Sequence, residues 1–432
     1  MIPIIEADRL TPELILNRKK SEAANVEAAV EEILETVRTQ GDAALLAYTE
    51  RFDGVKLESL RVSEEERKAA RAQVGEDFWK TLEMAAENIR RFHSQQLHRD
   101  FVLTDQPGVV MGQRYTPIEK VGVCVPSSPV AFPSTILMNV IPAKLAGVSE
   151  IVLVTSPEKD GTVSPAALAA AEIAGADQIF KLGGAQAVAA LAYGTESVPR
   201  VDKIVGPGGI FVATAKKKVF GLVGIDMVAG PSEIVVLSDG NSNPAWVAAD
   251  LLSQAEHDKL ATAVLVTDSR PLAEAVQAEL ETQLALLPRK EIAAASLESN
   301  GRILVTGDLE RCVDAVNLLA PEHLELCVDD PFALLPRVKN AGSIFLGRNA
   351  PEALGDYFGG PNHTLPTSGT ARFSSPLSVD DFVKKSSFLY YTQEALRPVG
   401  RRIADFAEAE GLRAHARSAL IRCEDETKEG QA

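Results

Sequence analysis

The sequence has few cysteines and no long apolar run, and both shortages limit the class of protein that it can encode. The four cysteines, Cys124, Cys312, Cys327 and Cys423, lie far apart in the chain. This spacing excludes a disulfide framework, a zinc ribbon and a CxxC redox motif, and it suits a reducing cytosol. No apolar stretch reaches the roughly 20 residues of a membrane-spanning helix, and residues 1–8 lack the features of a secretory signal. We therefore expect a cytoplasmic protein that does not bind membranes.

Basic residues are scarce relative to acidic ones. The 432 residues include 60 Asp or Glu against 44 Lys or Arg, which gives a formal net charge of −16. Such a chain repels phosphate backbones, so we expect no nucleic-acid partner. Hydrophobic residues make up 46% of the chain, which is ample for buried cores, and the length favours two or more domains.

Short runs rich in β-branched residues alternate with helical stretches after residue 120. The predicted strands are 121–125, 151–154, 203–205, 233–237, 263–267, 302–306 and 343–346. The predicted helices between them are 134–146, 165–174, 185–193, 210–220, 271–287 and 309–319. Strands that alternate with helices in this way are typical of parallel sheets joined by crossover helices. We therefore predict an α/β protein with two Rossmann-like parallel α/β domains.

This pattern divides the chain into four parts. Residues 1–120 are read as a helical N-terminal portion, which we expect to pack with the α/β domain of residues 237–380. Residues 121–236 form the other α/β domain. Residues 381–432 are too few to fold alone and are predicted to be a small helical C-terminal arm.

Six histidines are present, and four of them fall in segments suited to chemistry. His93 and His98 end a polar helix, and we expect both at the surface. Gln254 and His257 are three residues apart on a predicted helix, so one face presents an amide oxygen and an imidazole that can bind the same ion. Taken alone, the spacing Q-x-x-H more often marks an exposed helix end.

Two further histidines stand beside acidic residues. Glu322 and His323 follow a proline and precede an apolar strand, which suits general acid–base catalysis if the proline keeps both in a loop. Asp356 and His363 lie in a segment with three glycines and two prolines, which excludes a regular helix or central strand. A rigid loop of this kind suits a metal ligand and a substrate contact, although a surface turn has the same composition.

The remaining polar candidates carry weaker signals. Glu410 and His415 flank Gly411, which can cap the preceding helix. Ser232 lies in a Gly-Pro-Ser turn before a strand and can present its hydroxyl to a substrate, but a plain loop accounts for it equally well. Nitrogen and oxygen ligands without cysteine favour a catalytic Zn²⁺ site, with Mn²⁺ or Co²⁺ as substitutes.

Eight short stretches, taken in order, resemble the histidinol dehydrogenase family over nearly the whole chain. They are 183–187, 201–208, 230–233, 251–257, 321–324, 355–357, 360–367 and 410–415. The resemblance implies oxidation of L-histidinol to L-histidine through the aldehyde, with two NAD and one Zn²⁺ per subunit, as the last steps of histidine biosynthesis. It also implies a homodimer in which the C-terminal arm of each subunit completes the site of the other.

The resemblance also implies a role for each candidate residue. It implies that zinc is bound by Gln254, His257, Asp356 and His415. Substrate would be bound by these four residues together with Ser232, His323, His363 and Glu410. Glu322 and His323 would be the catalytic acid–base pair.

The family's dinucleotide positions are less well matched. They correspond to Cys124, Gln186 and Gly209, where the family usually has Tyr, Gln and Asn. Ser127-Ser128 replaces a Gly-Gly pair, and no G-x-G-x-x-G motif is present. Loss of a ring and of an amide implies weaker NAD binding, a different cofactor preference or a related substrate.

Three other functions are compatible with parts of the pattern. A dehydrogenase of the same family acting on another amino alcohol or polyol would be expected to have lost His363 and Glu410. A zinc hydrolase with Glu322 as its base lacks the motif H-E-x-x-H. A binding protein with a decayed cofactor site would not be expected to keep all four proposed ligands and both acid–base residues.

Overall fold

The computed structural model describes residues 2–7, 23–126 and 131–424. In these residues the α-helices are α1 Ala23–Gln40, α2 Asp42–Asp53, α3 Glu64–Gln73, α4 Glu76–His93, α5 Pro133–Ala146, α6 Pro165–Ala174, α7 Gly184–Tyr193, α8 Ile210–Val219, α9 Pro244–Ala255, α10 Arg270–Leu284, α11 Lys290–Asn300, α12 Leu309–Leu319, α13 Pro331–Leu334, α14 Glu352–Tyr357, α15 Gln393–Ala409 and α16 Arg413–Ile421. The strands are β1 Ile4–Glu6, β2 Phe101–Leu103, β3 Val109–Pro117, β4 Lys120–Cys124, β5 Glu150–Thr155, β6 Gln178–Lys181, β7 Lys203–Val205, β8 Gly224–Ile225, β9 Glu233–Ser238, β10 Thr262–Thr267, β11 Arg302–Val305, β12 His323–Cys327, β13 Ser343–Leu346 and β14 Val383–Tyr391. Within the described ranges, no helix is both long and apolar enough to cross a membrane.

The described residues form two compact units. The first takes in Met1–Gln96 and Ile118–Phe382, and the second takes in Leu97–Pro117 and Val383–Ala432. The first unit contains two separate parallel sheets, and the second contains a small antiparallel sheet.

A five-stranded parallel sheet lies in the first unit, with the strand order β6-β5-β4-β7-β8. Alternate residues of its strands point to opposite faces, so Val121 and Val123 pack with α5 and α6. Val152 and Val154 point to the other face and pack with α7 and α8. Both faces are covered, which explains why these strands are almost wholly apolar.

A six-stranded parallel sheet has the order β1-β11-β10-β9-β12-β13. One face packs on α9, α10 and α11 through residues such as Ile234 and Val236. Val235 and Leu237 point to the other face and pack with α12. The prediction of two Rossmann-like parallel α/β layers is therefore confirmed, and strands β1, β6 and β8 are additions to the predicted set.

The N-terminal helices pack on the five-stranded sheet. Val30 and Val37 of α1 belong to the same core cluster as α7 and α8, and Ala86 and Ile89 of α4 belong to that of α5 and α6. The apolar faces of these helices complete the cores on either side of the five-stranded sheet, and the predicted packing with residues 237–380 is represented by contacts of α4 such as the hydrogen bond from Nδ2 of Asn88 to the carbonyl of Phe358 at 2.9 Å. Of the N-terminal residues that the structure describes, strand β1 alone joins the six-stranded sheet, as a parallel neighbour of β11.

One predicted surface histidine is in the core. His93, the last residue of α4, is 0% exposed, whereas His98 is exposed as predicted. Nδ1 of His93 lies 2.7 Å from Oε1 of Gln96, and its Nε2 has no hydrogen-bond partner. Burial of the ring lowers the pKa of His93. The prediction failed because the residues around His93 in the sequence are mostly polar. His93 itself lies on the face of the helix that packs on the core.

The C-terminal segment of the second unit, Val383–Ala432, begins with a strand. Strand β14 pairs antiparallel with β3 along its whole length, and β3 pairs with β2. The arm is therefore not wholly helical as predicted, since only the part after Tyr391 forms helices. Thr392 caps α15 by accepting a hydrogen bond from the N–H of Ala395. Gly411 follows that helix with a φ of +79°, which confirms the predicted glycine cap.

Candidate active site

Polar side chains meet at the amino-terminal edge of the six-stranded sheet, where β9 and β12 begin. His323 is the first residue of β12 and is paired in register with Ile234 of β9. Ligands of open α/β sheets usually bind at the opposite, carboxyl-terminal edge. The side chains of this cluster therefore come from the helix ends and turns that precede these strands.

Three side chains of this cluster form a group that can hold a metal ion. His257, Glu352 and Asp356 each offer one ligand atom, and these atoms all lie within 4.8 Å of one another. His257 and Asp356 were predicted as ligands from the sequence. Glu352 was not, because a lone glutamate at the start of a short helix carries no sequence signal; its spacing of four from Asp356 on α14 was the only available hint.

Gln254 lies against the same group and is 1% exposed. Its amide can be placed with either end toward the carboxylate of Glu352. With the nitrogen toward Glu352, it donates to Oε1 at 2.5 Å and to Oε2 at 3.2 Å. With the oxygen toward Glu352, amide and carboxylate oxygens converge on one point, which is an arrangement that a bound cation stabilises. The donor set therefore fits a divalent metal ion.

His257 is not on the same helix as Gln254. Helix α9 begins as predicted, with the Asn243 side chain accepting a hydrogen bond from the N–H of Ala245, but it ends at Ala255. The N–H of His257 donates to the carbonyl of Gln254 at 3.2 Å, so a tight turn replaces the last helical turn. The prediction of one helix is wrong, yet the turn still brings His257 and Gln254 to the same cluster.

Glu322 and His323 are both buried beside this group. Oε2 of Glu322 accepts a hydrogen bond from the N–H of Glu233 at 2.8 Å. Nδ1 of His323 donates to the carbonyl of the same Glu233 at 3.1 Å. Nε2 of His323 is left without a hydrogen-bond partner, 3.7 Å from Oε1 of Glu352 and 3.6 Å from Oδ1 of Asp356.

The electrostatics of this pair favour proton transfer. Burial raises the pKa of Glu322 to about 8 and that of Glu352 to about 7. Burial alone would lower the pKa of His323, but the carboxylates of Glu352, Glu322 and Asp356 raise it to about 10. Burial would likewise raise the pKa of Asp356, but the neighbouring histidines hold it below its ordinary value. The pKa of Glu322 therefore lies near neutral pH, where general acids and bases work best, whereas the neighbouring carboxylates keep His323 protonated.

His363 and Ser232 line the same region. Nδ1 of His363 donates to the carbonyl of Asp356 at 3.0 Å, and its Nε2 lies 3.3 Å from Oγ1 of Thr135 at the start of α5. Ser232 is half-buried and directly precedes β9. The structure thus joins the metal group to the first turn of a helix that follows β4 of the five-stranded sheet.

The dinucleotide positions lie at the carboxyl-terminal edge of the five-stranded sheet. Cys124 ends β4, and a Cβ on Gly206 after β7 would lie 2.1 Å from the carbonyl oxygen of Cys124. The strand order reverses between β4 and β7, and such a switch point is where dinucleotides bind in open sheets. Gln186 is buried in the first turn of α7, and Gly209 caps α8. The residues present therefore fit a dinucleotide, and Ser127 and Ser128 lie outside the described residues.

Glu410 and His415 belong to the second unit. Glu410 caps the end of α15, His415 lies in the first turn of α16, and both side chains are exposed. The structure therefore groups Gln254, His257 and Asp356 in the first unit, and it places the fourth proposed ligand in the other unit.

A buried glutamate–histidine pair beside a group of nitrogen and oxygen atoms that suits a metal ion, on a fold of two parallel α/β layers, is typical of an enzyme active site. The family model described as histidinol dehydrogenase matches residues 16–423. The chain therefore belongs to the histidinol dehydrogenase family, whose members are oxidoreductases.

Individual relatives agree over nearly their full lengths. The histidinol dehydrogenase of Syntrophotalea carbinolica is 56% identical over 413 residues, which cover 95% of this chain and 96% of the relative. That of Geobacillus kaustophilus is 56% identical over 396 residues, which cover 92% and 93%. The crystal structure of histidinol dehydrogenase from Elizabethkingia anophelis superposes with a TM-score of 0.93 at 38% identity and covers 98% of both chains.

Proposed function

We propose that this protein oxidises L-histidinol to L-histidine through the aldehyde, in the cytoplasm, with one Zn²⁺ per subunit and two NAD. The observation that carries the proposal is the position of Glu322 and His323, buried together beside His257, Glu352 and Asp356. A two-step oxidation of an alcohol to a carboxylate needs one base for the alcohol and one for a water molecule. The pair supplies both next to a group that suits a catalytic metal.

Gln254, His257 and Asp356 would hold the zinc ion, with His415 as the fourth ligand. Zinc bound there would hold the amine and imidazole of histidinol and so orient its alcohol. A divalent cation beside Glu352 and Asp356 would also offset the carboxylate charge that raises the pKa of His323. His323 would then be neutral at working pH and able to act as a base.

The proton transfers follow from the hydrogen bonds of the pair. The Nδ1–H of His323 is committed to the carbonyl of Glu233, so Nε2 is the atom that takes the alcohol proton. Glu322 is held by the N–H of Glu233 through one oxygen, and its carboxylate would take a proton from the water that attacks the aldehyde. NAD at the switch point of the five-stranded sheet would accept a hydride in each oxidation. His363, Ser232 and Glu410 would contact the substrate.

We also propose a homodimer in which each arm completes the partner's site. The second unit exposes an unusual amount of apolar surface for a free chain: Val102 is 55% exposed, Leu389 68%, Tyr390 59% and Phe406 72%. Exposed apolar surface of this kind marks an interface. The same unit carries Glu410 and His415, which are exposed here and would be buried against the partner's site.

Complementation between two inactive variants tests the exchange. His257→Ala and His415→Ala are expected to be inactive alone. When the two are denatured together and refolded, half of the dimers would be mixed and one site in each mixed dimer would be intact, so about a quarter of the wild-type activity should return. A mixture of His257→Ala with His98→Ala provides the matched control for refolding. Absence of any recovered activity in the first mixture would count against arm exchange.

One assay tests the proposed reaction. Purified protein is mixed with Zn²⁺, NAD and histidinol, and the absorbance of NADH is followed to completion. Two NADH per histidinol are expected. Turnover of another amino alcohol or polyol but not of histidinol would instead favour a related dehydrogenase, and hydrolysis without NAD would favour the zinc hydrolase.

A further inference from the structure

Two acidic side chains, those of Asp250 and Glu325, meet next to the metal group. Asp250 lies on α9, one turn before Gln254, and Glu325 lies on β12, two residues after His323. Glu325 is 0% exposed and Asp250 is half-buried. The two carboxyl groups lie next to each other.

Glu325 has a second contact, which reaches the other helix of the site. Its Oε1 accepts a hydrogen bond from the N–H of Glu352 at 2.7 Å. Glu352 is the first residue of α14, the helix that carries Asp356. Through Glu325, strand β12 is therefore connected both to α9, which ends at the metal group, and to the start of α14.

A third hydrogen bond closes the connection between the two helices. Ser253 of α9 donates from Oγ to Oε2 of Glu352 at 3.2 Å and also contacts the carbonyl of Asp250 at 2.7 Å. The two helices supply Gln254 on one side and Glu352 with Asp356 on the other. Their relative position sets the distances within the metal group.

We propose that Asp250 and Glu325 are positioning residues that fix the ends of α9 and α14 so that Gln254, His257 and Asp356 converge on one metal ion. This inference rests on the proposed zinc site. Residues that orient ligands typically change metal affinity by about 10- to 100-fold when they are removed. The neighbours Leu324 and Leu326 of the same strand point to the apolar core instead. Glu325 is as buried as these two leucines, and it differs from them in its polar contacts.

Two substitutions of Glu325 separate positioning from packing. Glu325→Gln keeps an acceptor for the N–H of Glu352 and gains a donor for Asp250, so its zinc affinity should stay within about threefold of wild type. Glu325→Leu removes the hydrogen bond to Glu352 and the polar contact with Asp250 while filling the space, and its zinc affinity should fall by about 10- to 100-fold. The double variant Asp250→Leu with Glu325→Leu avoids an unpaired buried carboxyl and keeps the test available if the single variant fails to fold.

The measurement is zinc affinity of the full-length protein by chelator competition, together with the visible spectrum of the Co²⁺-loaded protein. Leu326→Val, a buried change on the other face of β12, is the matched control and should leave both readouts unchanged. Wild-type zinc affinity and an unchanged Co²⁺ spectrum in the folded double variant would overturn the positioning role alone. If the wild-type protein binds no zinc, this inference and the proposed zinc site are both overturned. If the protein binds zinc but does not oxidise histidinol, only the proposed reaction is overturned.

Discussion

Nδ1 of His323 lies 3.7 Å from Oε2 of Glu322, although the two residues are neighbours in the chain. Adjacent residues of a strand point to opposite faces, but β12 begins only at His323. Ala320 before them has a φ of +49°, and Pro321 follows, so the chain turns sharply into the strand. The N–H and the carbonyl of Glu233 then hold one side chain each. One residue of β9 therefore orients both members of the pair.

Glu322→Gln should impair the second oxidation more than the first. A glutamine cannot take a proton from water, so oxidation of the aldehyde should slow by about 100-fold or more, while oxidation of the alcohol, which depends on His323, should slow less. Because burial raises the pKa of Glu322 to about 8, the wild-type rate with the aldehyde should rise with pH until about that value. NADH formation from the aldehyde between pH 6 and 9 measures both effects. An unchanged pH profile in the variant would contradict the assignment.

His257→Ala should remove the metal. The variant loses the only nitrogen ligand of the group formed with Glu352 and Asp356, so zinc content after dialysis should fall close to zero, with a loss of affinity of about 100-fold or more. Metal analysis of the dialysed protein is the readout. The exposed His98→Ala is the control and should retain zinc fully. A metal-loaded and fully active His257→Ala protein would show that the ligand is another residue.

Gly209→Asn should tighten the binding of NAD. The resemblance to the family implies an asparagine at this position, and a Cβ on Gly209 would meet no atom within 4 Å. Its φ of −63° suits any residue, so the side chain can be added without strain and can supply a hydrogen-bond partner. The dissociation constant for NAD, measured by calorimetry, should fall by about 3- to 10-fold.

Gly206→Ala is a second substitution near the proposed NAD site, and we expect it to weaken NAD binding rather than tighten it. Gly206 has a φ of +103°, and its Cβ would lie 2.1 Å from the carbonyl oxygen of Cys124. This substitution should therefore weaken both folding and NAD binding. Equal affinities for NAD in wild type and Gly209→Asn would show that position 209 does not face the dinucleotide.

His93→Gln should make stability less dependent on pH. Burial lowers the pKa of His93 below its ordinary value of 6.5, so the unfolded chain binds a proton more readily than the folded chain. Its contribution to the free energy of unfolding is present above pH 6.5 and is lost as the pH falls through the folded-state pKa. Urea unfolding of wild type and variant between pH 5 and 8 measures the difference. The curves should converge toward low pH.

The alternation of apolar strands and helices was sufficient to predict both parallel layers. Runs of β-branched residues such as Ile151–Val154 are buried on both faces of the sheet, so the sequence alone identifies them as strands. The packing of α1 on the five-stranded sheet could not be predicted, because the apolar face of Val30 and Val37 fits any flat apolar surface equally well. Strand β14 was missed because its exposed residues, Lys384 to Ser387 among them, show no buried alternation.

The site was predictable wherever a residue type is rare. Histidines are few, so His257, His323 and His363 stood out, and the structure brings all three to one cluster. Glu352 and Glu325 are two acidic residues among 60, and only contacts across the fold distinguish them from surface residues. That His257 lies after the end of the helix could not be predicted either, because the helix boundary after Ala255 depends on the turn that follows.

The proposed active site lies at the amino-terminal edge of the six-stranded sheet, so the turns at the other end of its strands can be changed without touching it. Those near Gly240, Asp268 and Gly307 are exposed and stand a full strand length away from His323. Insertion of a reporter domain or a purification tag at the Gly307 turn is therefore a practical route to fusion proteins that keep their catalytic apparatus undisturbed.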